Sequence, residues 1–314
     1  MTQFFAPGLA RRGFDGEVVW QTDPSSGSGV AYAFANDTAG IITDDNRDYP
    51  DAVDNSGLTH ISIPGMIDAV ISASGCIHPD RAFHTFLNSA FGVRTGGQLV
   101  PWVQSFIPYG GAAQVKSAGI WWNQIVIASA YAKRGAAQRL SYGLAGVCAD
   151  PKNASAVTDL TIPSVAGSNG AGAASFIQCS FTDGQVSPVT YDNIRAFKLT
   201  LNNGLLPQPA SKNRTARIGN GFTPGTLKGT LSVIQNKGAT QAIPRTAGIY
   251  PFQINIPTGD GTHTLTIDLS LSYDSDGQSV AANDFSPDAI SYNVFGTAAG
   301  ATTTAGWNMI ASYA

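Results

Sequence analysis

The sequence predicts a mainly β protein with a single α-helix, long loops and terminal arms. Three observations predict it. Short apolar runs of period two recur along the chain, separated by stretches rich in Gly, Asn, Asp and Ser. Glycine is plentiful at 35 residues, and only 12% of residues are charged, so polar surface comes mostly from Ser, Thr, Asn and Gln. Glu17 is the only glutamate against twenty aspartates, a bias towards loops and away from helix interiors.

Taken in order, residues 1–13 form an N-terminal arm. Its Phe4, Phe5, Arg11 and Arg12 are suited to docking on a neighbour. The same composition suits a disordered terminus. Phe14 to Trp20 alternates as a strand, and a short strand is expected over Val30 to Ala35. An acidic loop is expected over 36–57. Its run Asp44-Asp45-Asn46-Arg47-Asp48-Tyr49-Pro50-Asp51 has no periodicity, and its spacing matches no calcium-binding loop. Leu58 to Ile63 alternates as a strand, whereas Met66 to Ser74 is open between strand and helix.

The one helix is expected from Pro79 to Phe91. Pro79 suits a first turn, where its missing N–H costs nothing. Asp80 places a negative charge at the positive end of the helix dipole. Ala82, Phe83, Phe86, Leu87, Ala90 and Phe91 fall on one side at helical spacing, and Gly92 is placed to stop the helix. Phe83, Phe86, Leu87 and Phe91 are therefore expected to pack on the face of a β-sheet.

Further strands are expected over Val100 to Tyr109, Val115 to Tyr131 and Leu140 to Cys148. A flexible Gly/Ala/Ser loop covers 166–174. Strands then follow over Phe176 to Phe181, Val189 to Asn202, Gly225 to Ile234, Tyr250 to Ile256 and Thr262 to Tyr273. Asn202-Asn203-Gly204 is a strong turn signal. A faint echo links Val115 to Gln124 with Ile194 to Asn203. Two organisations are thus open: a single elaborated domain over 1–314, or two tandem β halves over 14–150 and 175–314.

Chemistry-bearing motifs are sparse. The four histidines, His60, His78, His84 and His263, form no metal-ligand spacing. There is no G-x-S-x-G elbow, and Gly219-Asn220-Gly221 lacks the Lys-Ser/Thr of a phosphate loop. No catalytic residue, metal or cofactor is expected, and the chain reads as a non-enzyme. Cys76, Cys148 and Cys179 are odd in number and far apart, which suits buried free thiols in a reducing compartment. No charged n-region followed by an apolar h-region opens the chain, so no signal peptide is expected. The most apolar stretch, Ile120 to Ala132, is too short and too polar to span a bilayer.

The formal net charge of −3 conceals a segregation. Residues 1–70 hold ten acids and three bases, a net of −7. Residues 71–250 hold five acids and fifteen bases, a net of +10. Residues 251–314 hold six acids and no Lys or Arg, a net of −6. Either these segments neutralise one another within one subunit, or the acidic part of one copy meets the basic part of the next. Asp44, Asp45, Asp48, Arg195 and Lys198 are the candidates for such an interface, beside the arm residues. The bases are scattered and lack an interleaved aromatic pattern, so specific nucleic-acid recognition is not expected.

Four stretches carry a family resemblance. They are Gly13 to Thr22, the segment Gly75 to Gly92 ending F-L-N-S-A-F-G, the aromatic pair Phe106 to Trp122, and I-R-A-F-K-L-T-L-N-N-G from Ile194 with I-G-N-G-F-T-P-G-T-L-K-G-T-L-S-V from Ile218. In these the chain resembles phage major tail tube proteins of the larger kind, over roughly half its length. The resemblance implies a β-sandwich or partly open barrel flanked by one helix. It implies a virion protein, assembled in the host cytoplasm into stacked and usually hexameric rings. The implied partners are other copies of the chain, the tape-measure protein and double-stranded DNA in the lumen, and the tail terminator and tail tip proteins, with no membrane. The acidic segments would then face the lumen or one rim, and the basic middle would meet an acidic surface of the next copy. Two alternatives stand beside it: another virion β-protein, such as a head decoration or connector, and a carbohydrate-binding tail fibre component.

Overall fold

The computed structural model describes residues 16–22, 31–48, 63–77, 83–92, 94–95, 100–108, 114–130, 140–148, 159–161, 178–181, 189–191, 194–207, 222–223, 227–236, 243–245, 247–257, 264–278, 287–295, 304–305 and 310–313. Strands β1 (Gly16–Thr22), β2 (Ala31–Asp48) and β3 (Ile63–Cys76) come first, then helix α1 (Phe83–Phe91). Next are β4 (Arg94–Thr95), β5 (Trp102–Pro108), β6 (Val115–Ala130) and β7 (Leu140–Cys148). The remaining strands are β8 (Gln178–Phe181), β9 (Val189–Tyr191), β10 (Ile194–Asn202), β11 (Leu206–Pro207), β12 (Phe222–Thr223), β13 (Lys228–Asn236), β14 (Ile249–Pro257), β15 (Thr264–Gln278), β16 (Pro287–Val294), β17 (Thr304–Ala305) and β18 (Ile310–Tyr313). The protein is mainly β, with α1 the one helix among the described residues.

One antiparallel sheet runs β5-β1-β2-β3-β7-β6-β10-β13-β16-β15-β14-β8-β9, with β18 added beside β15. The path as a whole is not closed into a barrel, since it ends on β9. At its other end β5 also bonds to β6, so the pairings of six strands return on themselves. Strand β6 makes this possible. Its first residues, 115–120, pair with β5, and its later residues, 124–130, pair with β10. Within the first part lies Gly119 at φ 66°, where β6 carries one residue more than β5, and between the two parts Asn123 is an extra residue opposite β7. A left-handed glycine in a bulge bends a strand and raises its twist, which is what leaving one neighbour for another demands.

The inner face carries the core. Along β15, Leu265, Ile267, Leu269 and Leu271 are buried while Thr264, Thr266, Asp268 and Ser270 are half-buried, the alternation expected from the sequence. The same pattern buries Phe197, Leu199 and Leu201 on β10, and Leu231 and Val233 on β13. These residues belong to one apolar cluster running from Val18 to Ala311. With a single short helix as the other layer, the sheet must curl on itself to bury so much of one face.

Helix α1 fills the first half of that core. Phe83, Phe86, Leu87, Ala90 and Phe91 have no solvent exposure. Phe86 stacks on Trp20 at 4.7 Å and meets Trp102 and Trp122 edge-on at 5.2 Å and 5.7 Å. His84, Thr85, Asn88 and Ser89 on the other side are half-buried. Burial alone pulls His84 below its ordinary pKa. Asn88 clasps the last strand: its Nδ2 donates to the Ala311 carbonyl at 2.6 Å, and its Oδ1 accepts from the Ala311 N–H at 2.7 Å. The helix ends at Gly92, whose N–H donates to the carbonyls of Leu87 and Asn88, and where a Cβ would lie 2.5 Å from the Asn88 oxygen.

Several sequence expectations are corrected. The acidic loop expected over 36–57 is strand as far as Asp48, because β2 continues through Asp44, Asp45 and Asp48 against β3, with register shifts at Ala35/Asp37, Asp37/Gly40 and Asp45/Arg47. Pairing with an apolar neighbour strand supplied the order that its own composition lacked. Met66 to Ser74 lies within β3, which settles the strand reading over the helical one. The single strand expected over Val189 to Asn202 is two, β9 and β10, which pair with different neighbours. Strands β16 and β18 were not expected at all. The arm at 1–13, the loop at 166–174, residues 49–57 and the helix start at Pro79 lie outside the described residues.

Candidate functional site

Two surfaces stand out, and each is built by strand pairing. The first is a ribbon. Strand β2 pairs with β1 only through residues 31–35, and β3 pairs with β7 only from Ala69 onward. Past these limits β2 and β3 continue as two strands alone, with Asp44 opposite Asp68, Asp45 opposite Ile67, and Asp48 opposite Ile63. Among the described residues nothing pairs with their outer edges. Residues 36–48 and 63–68 together hold five aspartates and one arginine, Arg47, a net of −4. Like charges directly opposite one another weaken a strand pair, and a two-stranded ribbon is marginal by itself.

The second surface is the outer face of β7, β6, β10, β13 and β16. Its rows follow from register. Ser141, Ala128, Lys198, Ser232 and Ser291 lie in one row. Ala145, Gln124, Asn202 and Lys228 lie in another. The side chains are small and polar, and two depressions lie among them. One, about 510 Å³, is lined by Gln124, Asn202, Lys228, Thr230, Asn293 and the 39%-exposed Phe295. Its neighbour is lined by Ala128, Ser141, Ala196, Lys198 and Ser232. No Asp or Glu lines either. Lys198 and Lys228 are exposed, and neither has a carboxylate partner among the described residues.

The candidates named from the sequence divide between these places. Asp44, Asp45 and Asp48 come together on the ribbon. Lys198 lies on the outer face. Arg195 does not share its row: it is half-buried and is the extra residue of a bulge in β10 opposite β13, which takes it out of register with Lys198. Phe83, Phe86, Leu87 and Phe91 are core. Phe4, Phe5, Arg11 and Arg12 lie outside the described residues. Lys228, Gln124, Asn202 and Phe295 were not singled out as one site. The alternation of Lys228, Thr230 and Ser232 against Leu227, Gly229, Leu231 and Val233 marked the outward side of β13, but not its neighbours.

On the inner face of β16, Tyr292 is buried and its hydroxyl donates to the Pro244 carbonyl at 2.6 Å. Burial, reinforced by the Tyr191 phenol and opposed by Arg245, pushes its pKa up. The phenol thus stays protonated in the folded chain where an unfolded tyrosine ionises, from about pH 10. The folded state then holds more protons than the unfolded one, and stability falls as pH rises through that range. Thermal melts from pH 8 to pH 11 are expected to show this fall, and Tyr292→Phe is expected to flatten it. An equal alkaline fall in Tyr292→Phe would assign the effect to other groups.

Among the described residues, no group of three or more His, Cys, Asp and Glu is placed to hold a metal. No helix among them is long and apolar enough to cross a membrane. No protein-family model matches the chain, and no curated protein matches its sequence.

Proposed function

We propose that the chain is a structural virion protein, the subunit of a phage tail tube, whose copies assemble into stacked hexameric rings around a channel for DNA. The observation that carries the reading is the ribbon of residues 36–48 and 63–68. It extends beyond the sheet with both edges unpaired among the described residues, and it carries mutually repelling charge. Such a ribbon is a weak element in an isolated subunit and a ready one for contact with another copy. Ring and stack contacts between identical copies are heterologous, so rings close by rotation while the stack stays open-ended.

Electron microscopy of the purified chain tests the proposal. Stacked rings with a central channel are the expected result. Monomers, or isolated trimers, across a series of protein and salt concentrations would count against it.

A further inference from the structure

We infer that the outer-face trough holding Lys198 and Lys228 is the docking surface for the acidic ribbon of a second copy. The inference rests on the self-assembly reading and names its partner surface. Lys198 stands opposite Ser232, and Lys228 lies four residues before Ser232 on β13. The two lysines are thus about 13 Å apart along the strands at ~3.3 Å per residue. On the ribbon, Asp44 and Asp48 are four residues apart along β2, across a register shift between Asp45 and Arg47, with Asp68 opposite Asp44.

Between the rows of the two lysines the outer face carries Gly143, Val126, Thr200, Thr230 and Asn293, none of them charged. From β6 to β16 the trough spans three strand spacings, about 14 Å, room for a ribbon of two strands. Neither lysine has a carboxylate partner within its own chain among the described residues. The ribbon in turn carries a net formal charge of −4. Docking brings the opposite charges together. The contact must be between copies, because β3 runs unbroken from the ribbon into the sheet and cannot fold back over that sheet's outer face. A ribbon-to-trough contact is heterologous and propagates in one direction. Complementary charge of this kind sets register and partner choice more than raw affinity.

A charge swap tests it. Lys198→Asp with Lys228→Asp makes a chain acidic at both surfaces. Asp44→Lys with Asp48→Lys and Asp68→Lys takes the ribbon from −4 to +2 and makes a chain basic at both. Each variant alone, folded by its melting curve, is expected to need at least about ten-fold more protein than the parent to assemble at low salt, a change of about 1.4 kcal/mol. Mixing the two is expected to restore assembly, since every contact then pairs opposite charges. If both variants assemble alone as the parent does, the docking surface is wrong and self-assembly stands. If the parent never assembles, both readings fail. If the trough variant assembles normally but loses binding to double-stranded DNA, the trough serves a polyanion instead, and the inference is overturned.

Discussion

Replacing Phe86 by alanine is expected to destabilise the protein by about 3–5 kcal/mol, the range for deleting a fully buried aromatic. Phe86 has no solvent exposure and touches the rings of Trp20, Phe83, Phe91, Trp102 and Trp122. Those partners come from β1, α1, β5 and β6, so one truncation opens a cavity where three strands and the helix meet. Collapse into the cavity is restricted, because each indole is itself held in the sheet. Trp20, for example, donates through Nε1 to Gln104 Oε1 at 2.9 Å. Phe86→Asp is expected to leave no folded protein, since a buried carboxylate without a partner costs far more than the lost ring. Phe83→Asp and Leu87→Asp are expected to behave alike. Denaturant unfolding of Phe86→Ala checks the packing. A loss below about 1 kcal/mol would mean that the helix does not seat in the core as described.

The second large effect is expected at Asn203. This side chain is 3% exposed, and its Nδ2 donates to the Trp122 carbonyl at 2.9 Å and the Ala90 carbonyl at 3.3 Å. Its own N–H donates to the Asn123 carbonyl at 2.7 Å. One amide thus ties the end of α1, the irregular step in β6 and the end of β10 together. Asn203→Ala leaves two buried carbonyls without this donor, at a cost of about 1–3 kcal/mol. Asn203→Asp is expected to be worse than alanine, because it sets an acceptor, and a charge, against two carbonyls. Equilibrium unfolding of the pair decides the matter. If Asn203→Asp is the more stable of the two, the hydrogen bonds are not what holds this junction.

Asn203 also marks where sequence reading stops. The Asn202-Asn203-Gly204 signal was legible as a turn, and Gly204 does take φ 57° with its N–H on Asn202 Oδ1 at 2.7 Å. That Asn203 reaches back to Trp122 and Ala90 was not legible, because those carbonyls are 81 and 113 residues away in the chain. The ribbon shows the same limit. Asp44, Asp45 and Asp48 read as a loop because local composition disfavours a strand, and pairing with β3 overrode that preference. Conversely, Lys198 and Lys228 were both visible as bases on strands, but only the pairing of β10 with β13 places them in one trough.

What the sequence by itself determined are the features with a short period. These are the inward faces of β10, β13 and β15, the apolar stripe of α1, its stop at Gly92 and the turn at Gly204. Each depends on alternation or helical spacing within a dozen residues, where side-chain direction follows from backbone geometry. The tertiary structure alone decided which strands neighbour one another. It decided the change of partner along β6 between Ile120 and Gln124, the extension of β2 and β3 past the sheet, and the meeting of two lysines on one outer face. Those outcomes depend on hydrogen bonds between segments far apart in the chain. A strand's pattern states which of its faces is buried and leaves open which edge will lie beside it.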